Sequence, residues 1–357
     1  MKKLIKLLPI ALLLVTFANC KTDSKEGRSS TSSLSRAIDT TFICDLEENL
    51  DVIQNIDDAV FLNDSIFFIS SNKQVIKYNT QGKQLQIFNN NGSGPHEYIN
   101  PSLLQVNNNS LFVWCSMSLK LIEYDSNGNA KSVVTNYKKA IKNFKVYQDK
   151  QIFFYKNNAT VPGVIDVYDI EEDRVIKTIG NAFSEEDLVL LILNSKPGII
   201  IHNGFVYFVK PSSLELFRFD IDSFNLETVS NIDDKEFSVS KVDNASNLIN
   251  TQFMKAVDYL NTNSITNNLF LVEDGLIIKS EVGEIAMNEK EQTMDLDKRF
   301  NKFYLHSFSE ADNETAVWKT NVKPNLYNYI NYNSNIYIIE NTMNSESEKS
   351  RLYRIGF

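Results

Sequence analysis

The sequence is poor in the residues from which most catalytic sites are built. Its three histidines, His96, His202 and His306, lie far apart and never in a paired spacing, so no zinc motif is present. There is no Gly-x-Ser-x-Gly elbow, no phosphate-cradling loop and no dinucleotide fingerprint, because Gly92-Ser93-Gly94 sits in a strand connection without a following helix. Hydrolytic and nucleotide chemistry therefore lack positive support. Cations are also in deficit, with 36 Lys and Arg against 45 Asp and Glu, a formal charge of −9 and a pI near 5.1. A nucleic-acid partner needs clustered cations and is not expected. Glycine is scarce, at 12 in 357 residues, and only Cys20, Cys44 and Cys115 carry thiols.

What is present is enough for a large packed core, since 43% of residues are hydrophobic and 23% charged. Length alone suggests about two domains, although a repeat architecture of this size folds as one closed unit. The N-terminus has a basic start (Lys2, Lys3, Lys6), an apolar run from Leu7 to Ala18, and then Cys20. That run is well short of the roughly 20 residues that span a bilayer, so residues 1–19 read as a cleaved export signal. Phe17-Ala18-Asn19-Cys20 resembles a bacterial lipobox, with Phe17 where Leu is usual and Asn19 where Gly, Ala or Ser is usual. That likeness makes Cys20 the expected lipid-attachment residue, with acyl chains contributing about 0.8 kcal/mol per buried methylene. Residues 20–39, rich in Ser, Thr and charge, read as a flexible tether. Cys44 and Cys115 lie in the apolar stretches Phe42-Ile43-Cys44 and Phe112-Val113-Trp114-Cys115, which favours buried thiols over a disulfide.

From Thr41 onward, short runs of β-branched and aromatic residues alternate with Asn, Asp, Gly and Ser, an all-β signal. Several runs end in an aromatic residue followed by Asp or Asn: Tyr78-Asn79, Tyr124-Asp125, Tyr168-Asp169 and Phe219-Asp220, spaced by 46, 44 and 51 residues. Each unit offers about four strands, the size of a β-propeller blade. Apolar hairpins near Leu269 to Lys279 and Asn335 to Glu340 extend the series to six units at wider spacing. The expected fold is a six-bladed β-propeller over residues 40–357, with four-stranded antiparallel blades and one or two short helical insertions. The strand from Thr41 to Leu46 is expected to pair with Leu352 to Ile355 in the last blade and so remove a free edge. The abundant Asn fits tight turns in which Asn tolerates the left-handed conformation. A helix start is expected at Phe183-Ser184-Glu185-Glu186-Asp187-Leu188, with Ser as cap and Phe183 stapling Leu188, and a second helix within Asn244 to Asn261.

The stretch Gly92-Ser93-Gly94-Pro95-His96-Glu97-Tyr98 follows Val75-Ile76-Lys77-Tyr78-Asn79, Gln81-Gly82-Lys83 and Ile87-Phe88. In this order and spacing, Asp45 to Val134 resembles the six-bladed β-propeller lipoproteins of Bacteroidetes, a family related in fold to NHL and TolB-type propellers. Their pattern looks like Gly-x-Gly-Pro-Gly-Glu-Tyr, so His96 stands where a glycine is usual and a positive φ is expected there. The resemblance implies a fold and hardly a function. Physically the stretch is a blade connector: Gly92 and Gly94 permit a tight reversal, Pro95 stiffens it, and Glu97 and Tyr98 pin it by hydrogen bonds. Its functional reading makes His96, Glu97 and Tyr98 part of a binding site.

Tyr327, Tyr329 and Tyr332, set among Asn325, Asn328, Asn331 and Asn333, form a second candidate, a polar-aromatic cluster able to stack a carbohydrate, with a core and turn role favoured over it. The acidic runs Asp57-Asp58, Glu171-Glu172-Asp173, Glu185-Glu186-Asp187 and Asp233-Asp234 could offer oxygen ligands to calcium. They match no dedicated loop, so they read as solvated turns, and no metal site or other cofactor is expected. Asp39-Thr40-Thr41 and Asp64-Ser65-Ile66 resemble the O-glycosylation acceptor motif of Bacteroidetes, and Lys21 to Glu26 resembles a charged surface-export signal. The functional expectation is a lipoprotein of the outer membrane, periplasmic or surface-exposed, that binds a protein partner or a glycan. The alternative is a propeller hydrolase or lyase acting on a sugar or lactone.

Overall fold

The computed structural model describes residues 38–47, 56–71, 74–88, 90–134, 137–157, 162–193, 196–284, 286–288, 293–295, 299–308, 316–320, 327–340 and 349–357. The leader, most of the tether and Cys20 lie outside them. Six four-stranded antiparallel sheets follow one another along the chain. Blade 1 comprises Ile56–Asn63, Ile66–Ser71, Gln74–Asn79 and Gln84–Phe88. Blade 2 comprises Pro101–Asn107, Ser110–Cys115, Lys120–Tyr124 and Ala130–Val133. Blade 3 comprises Ile141–Tyr147, Gln151–Lys156, Ile165–Asp169 and Arg174–Ile179. Blade 4 comprises Ile199–His202, Phe205–Val209, Glu215–Asp220 and Leu226–Asn231. Blade 5 comprises Ile265–Val272, Gly275–Gly283, Arg299–Ser307 and Val317–Thr320. Blade 6 takes Tyr327–Tyr332, Asn335–Glu340 and Arg351–Gly356, and its outermost strand is Asp39–Asp45 from the other end of the chain.

The closing strand pairs Thr40 with Ile355 and Cys44 with Leu352, as the sequence predicts, and it begins two residues before the expected Thr41. The core lies between blades, in six clusters that each join neighbours. Phe61, Phe67 and Tyr78 of blade 1 meet Ile330, Ile339 and Leu352 of blade 6, for example, and Trp114 of blade 2 meets Phe144 and Phe154 of blade 3. Burying each such side chain contributes about 1.5–3 kcal/mol. Second strands are covered on both faces, so Ser110–Cys115 is buried throughout, whereas the outer strand Ala130–Val133 alternates between half-buried and exposed.

The recurring aromatic-Asx pair closes the third strand of four blades. Tyr78, Tyr124, Tyr168 and Phe219 are buried between blades. The Asx side chain caps the turn that follows: Asn79 Oδ1 accepts from the N–H of Lys83 at 2.8 Å, and Asp125 Oδ1 from those of Asn127 and Asn129 at 2.9 Å. Asp169 and Asp220 do the same, toward Glu172 at 2.8 Å and Ser223 at 2.7 Å. Left-handed turn positions fall heavily on asparagine, at Asn100, Asn108, Asn109, Asn203 and Asn333.

Helices occupy two inter-blade connections: α1 (Glu185–Leu193) before blade 4, and α2 (Ala245–Thr251) with α3 (Phe253–Thr262) before blade 5. Ser184 Oγ accepts from the Asp187 N–H at 3.1 Å while Asp187 accepts from the Ser184 N–H at 3.0 Å, the expected reciprocal cap. The expected second helix is broken at Gln252, whose φ of −131° leaves the helical region. Helices α1 and α2 share an apolar contact of Leu188, Val189 and Ala245.

Cys44 and Cys115 are free and buried in blades 6 and 2, and burial raises their thiols to about 11 and about 12. A chain beginning after Asp45 leaves Arg351–Gly356 as an open edge. It is expected to melt at a lower temperature and to form oligomers by light scattering, and an unchanged monomer with an unchanged midpoint would show that the closing strand is dispensable.

Candidate functional site at the channel mouth

Each innermost strand has a neighbour on one side only, so its other edge carries unpaired N–H and C=O groups facing the ring axis. Side chains from adjoining blades satisfy several of them. Asp58 Oδ2 of blade 1 accepts from the Leu104 N–H of blade 2 at 2.8 Å. Gln105 of blade 2 accepts from the Val146 N–H of blade 3 at 2.7 Å and donates to the Val146 carbonyl at 3.4 Å. Asn143 of blade 3 donates to the Pro197 carbonyl before blade 4 at 3.0 Å. In blade 6, Asn331 brackets the peptide of Leu271 in blade 5, at 2.7 and 2.8 Å, and Asn328 donates to the Ile56 carbonyl of blade 1 at 2.9 Å. Early residues bond to early ones and late to late, so the six strands run the same way around a channel, with a cavity of about 540 Å³.

The charged residues lining that cavity are Asp58, Lys142, Lys145 and Lys196. Lys142 and Lys145 stand on the innermost strand of blade 3, and Lys196 enters from the connection that follows α1. The Lys196 ammonium reaches across the ring to donate to the Asp57 carbonyl of blade 1. Both Asp58 oxygens accept backbone N–H groups, from Ala59 at 3.0 Å and from Leu104. Burial raises the Asp58 carboxyl above its ordinary range, opposed by Lys196, by those two N–H groups and by Lys145. Burial raises Asp57 as well, opposed by Lys196. Lys145 is lowered by burial, and Asp58 opposes the shift. Lys142 falls to about 8, through burial first and the Lys196 ammonium second.

The motif residues lie away from this mouth, in the blade 1 to blade 2 connection. Tyr98 is fully buried, and its hydroxyl donates to the Phe88 carbonyl and accepts from the Val75 N–H at 3.2 Å. Glu97 accepts from the Gly94 N–H at 2.8 Å, and a Cβ at Gly92 would sit 1.9 Å from its Oε2, so a side chain there would displace the Glu97 carboxylate from this bond. His96 and Glu97 are exposed, and Pro95 sits at the turn between them and Gly94. Tyr124 donates to the His96 carbonyl at 3.0 Å, and Lys120 to those of Gly94 and Glu97 at 2.7 and 2.9 Å. His96 does not adopt the positive φ expected of it. The second candidate lies on the innermost strand of blade 6. Tyr329 packs against Phe270 and Phe303, Tyr332 stacks on Phe61 at 5.0 Å, and both border the channel. The Tyr327 side chain lies outside the described residues. The structure thus brings Tyr329 and Tyr332 to the channel and leaves His96, Glu97 and Tyr98 elsewhere.

Three of the acidic runs are structural partners and not solvated turns. Asp187 accepts from Ser212, Glu185 and Glu186 cap the backbone at Ala245 and Val242, and Asp234 binds Lys302 and Tyr304. Asp58 ties blade 1 to blade 2. Among the described residues no group of three or more His, Cys, Asp or Glu is placed to hold a metal ion.

A family model described as a 6-bladed beta-propeller, DUF5128, matches residues 19–324. The chain belongs to this family. Similar solved structures include a predicted exported protein of Bacteroides fragilis, 12% identical with a TM-score of 0.61 over 91% of this chain and 96% of that one. A DUF4221 member from Bacteroides vulgatus is 11% identical, with a TM-score of 0.62 over 90% and 97%. A protein of unknown function from Bacteroides thetaiotaomicron is 9% identical, with a TM-score of 0.50 over 90% and 76%. At such identities the likeness is one of fold. No curated protein matches the chain. Among the described residues no helix is long and apolar enough to cross a membrane.

Sequence reasoning missed Lys142, Lys145 and Lys196. In the sequence they look no different from Lys77 or Lys120, which sit in other strands, or from a lysine of an ordinary Pro-Gly connection. The folded state disfavours the Lys142 proton, so the unfolded chain binds more protons between pH 8 and the ordinary lysine value of 10.5, and stability rises with pH across that window. Lys142→Met removes the buried charge. It is expected to raise the thermal midpoint at pH 7 and to shrink the gain from pH 8 to 10.5, and an equal or lower midpoint at pH 7 would contradict this placement.

Proposed function

We propose that this chain is an exported, lipid-anchored binding propeller, held at the outer membrane through Cys20, whose working face is the channel mouth and the helices beside it. The observation that carries the reading is the convergence there of Asp58, Lys142, Lys145 and Lys196 on one cavity. The inter-blade connections holding α1 to α3 emerge on that same face, where the innermost strands begin. Helix α3 presents Phe253 and Met254 at 58% and 69% exposure, apolar surface of the kind that partners cover. The basic start, the short apolar run and Cys20 support the anchor, and the exported neighbour from Bacteroides agrees with an envelope location. A protein partner or a glycan fits this face, and no cofactor belongs to the reading. The rival hydrolase or lyase gains nothing from the channel, where Asp58 has both oxygens engaged by backbone N–H groups and is outnumbered by ammoniums.

Cys20→Ala is expected to abolish labelling by radioactive palmitate and to release the protein from the membrane fraction; continued labelling would remove the anchor from the reading. Crosslinking and affinity purification from native membranes should recover a stoichiometric protein or glycan with the wild type and lose it when Phe253→Asp and Met254→Asp are combined. Recovery of the wild type alone, or capture indifferent to the two substitutions, would overturn the assignment of this face.

A further inference from the structure

We propose that the channel mouth is an anion site, in which a carboxylate or phosphate group of the ligand sits on the ammoniums of Lys142, Lys145 and Lys196. This deepens the binding reading above and rests on it. The contrast with the other buried charges carries the argument. Asp166 in blade 3 receives Tyr137 at 3.0 Å, Lys139 at 2.8 Å and Thr178 at 2.7 Å, with Lys156 at 3.7 Å. Glu281 in blade 5 receives Asn267 at 2.6 Å, Lys279 at 3.4 Å and Arg299 at 3.3 Å. Those clusters are complete within the fold.

The ammoniums of Lys142 and Lys145, half-buried on the cavity wall, join no hydrogen bond or ion pair among the described residues. Lys196 hydrogen-bonds to the Asp57 carbonyl, a neutral acceptor, and forms no ion pair among the described residues, although Asp57 and Asp58 lie within reach of its field. The titratable groups facing them are the carboxylates of Asp57 and Asp58 on blade 1, and Asp58 is already committed to two backbone N–H groups. Three ammoniums therefore meet two carboxylates in a partly dehydrated space, an imbalance that folded proteins usually avoid. An incoming anion supplies the missing charge through charge-assisted hydrogen bonds. Asn268 lines the same cavity, and its side chain joins no hydrogen bond among the described residues. The cavity falls within the range of roughly 300–1,000 Å³ typical of small-molecule sites.

The test is calorimetric titration of the full chain in detergent with glucuronate, glucose and inorganic phosphate at pH 7 and pH 9.5. Glucuronate or phosphate is expected to bind at pH 7, with glucose at least ~10-fold weaker, and Lys142→Met to weaken the anion by ~10-fold or more while the protein stays folded. Because Lys142 must take up a proton to bind, affinity should fall about tenfold per pH unit above pH 8, and Lys142→Met should flatten that decline. Stronger binding of glucuronate assigns the anion to an acidic sugar, and stronger binding of phosphate assigns it to a phosphoryl group. No anion binding, glucose binding as tightly as glucuronate, or an affinity indifferent to Lys142→Met would overturn the proposal. Anion binding that fails while partner capture at this face persists defeats the anion site alone. Capture that fails while glucuronate still binds defeats the partner reading alone.

Discussion

A ring of blades must leave the inner edge of every innermost strand without a strand partner, and the rest of this structure depends on how that edge is satisfied. An unpaired buried peptide group costs about 1–3 kcal/mol, so six open edges around one axis would be a serious burden. Here the answer comes from short amides and carboxylates that reach sideways to the next blade: Asp58, Gln105, Asn143, Asn328 and Asn331. Because each of them bridges two blades, they fix the height of one blade against the next as well as pairing backbone groups. The apolar wedges between blades then pack in a set register. A channel lined by peptide edges and amides follows, and it is this polar lining that makes the axis hospitable to charge.

Charge placed there behaves differently from charge in the wedges. Asp166 and Glu281 sit among donors supplied by their own blades or by adjoining loops, so removing one partner would strand a buried ion. Lys142 has no such partner among the described residues, and burial depresses its proton affinity. A residue that lowers the stability of the fold and could be replaced by an apolar side chain of similar length is hard to explain as architecture. Its location on a cavity wall, beside Lys145 and opposite Asp58, gives it a use outside the fold's own economy. The helices add to the same face. Acids of α1 cap the backbone near α2 and hold Ser212, so α1 and the chain that leaves it toward Lys196 are fixed from several sides.

The fold was legible because its repeat rests on local chemistry. An aromatic residue buried between blades, followed by Asn or Asp capping the next turn, must recur wherever a third strand ends, and Tyr78-Asn79 through Phe219-Asp220 record that need in the chain. The series blurs in blade 5, where a small hairpin of Ala286–Asn288 and Thr293–Asp295 is inserted between the second and third strands. Ring closure was legible too, since a lone strand at Thr41 has no neighbour in sequence. The site was not. Gly92 to Tyr98 stood out as a motif because a tight connector demands unusual residues, yet Glu97 spends its hydrogen bond within the loop, Tyr98 bonds to blade 1, and Tyr124 and Lys120 of blade 2 hold the loop's carbonyls. Lys142 and Lys196 looked ordinary, because what distinguishes them is a position facing the axis, and that is set by strand register and by the blade opposite. Asp57-Asp58 read as a solvated turn for the same reason.

The sign of the mouth also bears on how a ligand would arrive. The chain carries a net charge of −9, so an anion approaching from far away meets repulsion. At physiological ionic strength that repulsion is screened beyond about 8 Å, whereas partly buried charges are screened much less. The global charge therefore sets the background and the three lysines set the local potential, which dominates once a ligand is within reach of the mouth. A polyanion such as a nucleic acid would have to extend over the surface of a net-negative molecule and gains little. A small ligand with one or two negative groups can enter the cavity without spreading over that surface. The same net negative charge that argues against phosphate backbones thus sharpens selection for compact anions, because only a group small enough to reach Lys142, Lys145 and Lys196 escapes the field of the rest of the molecule.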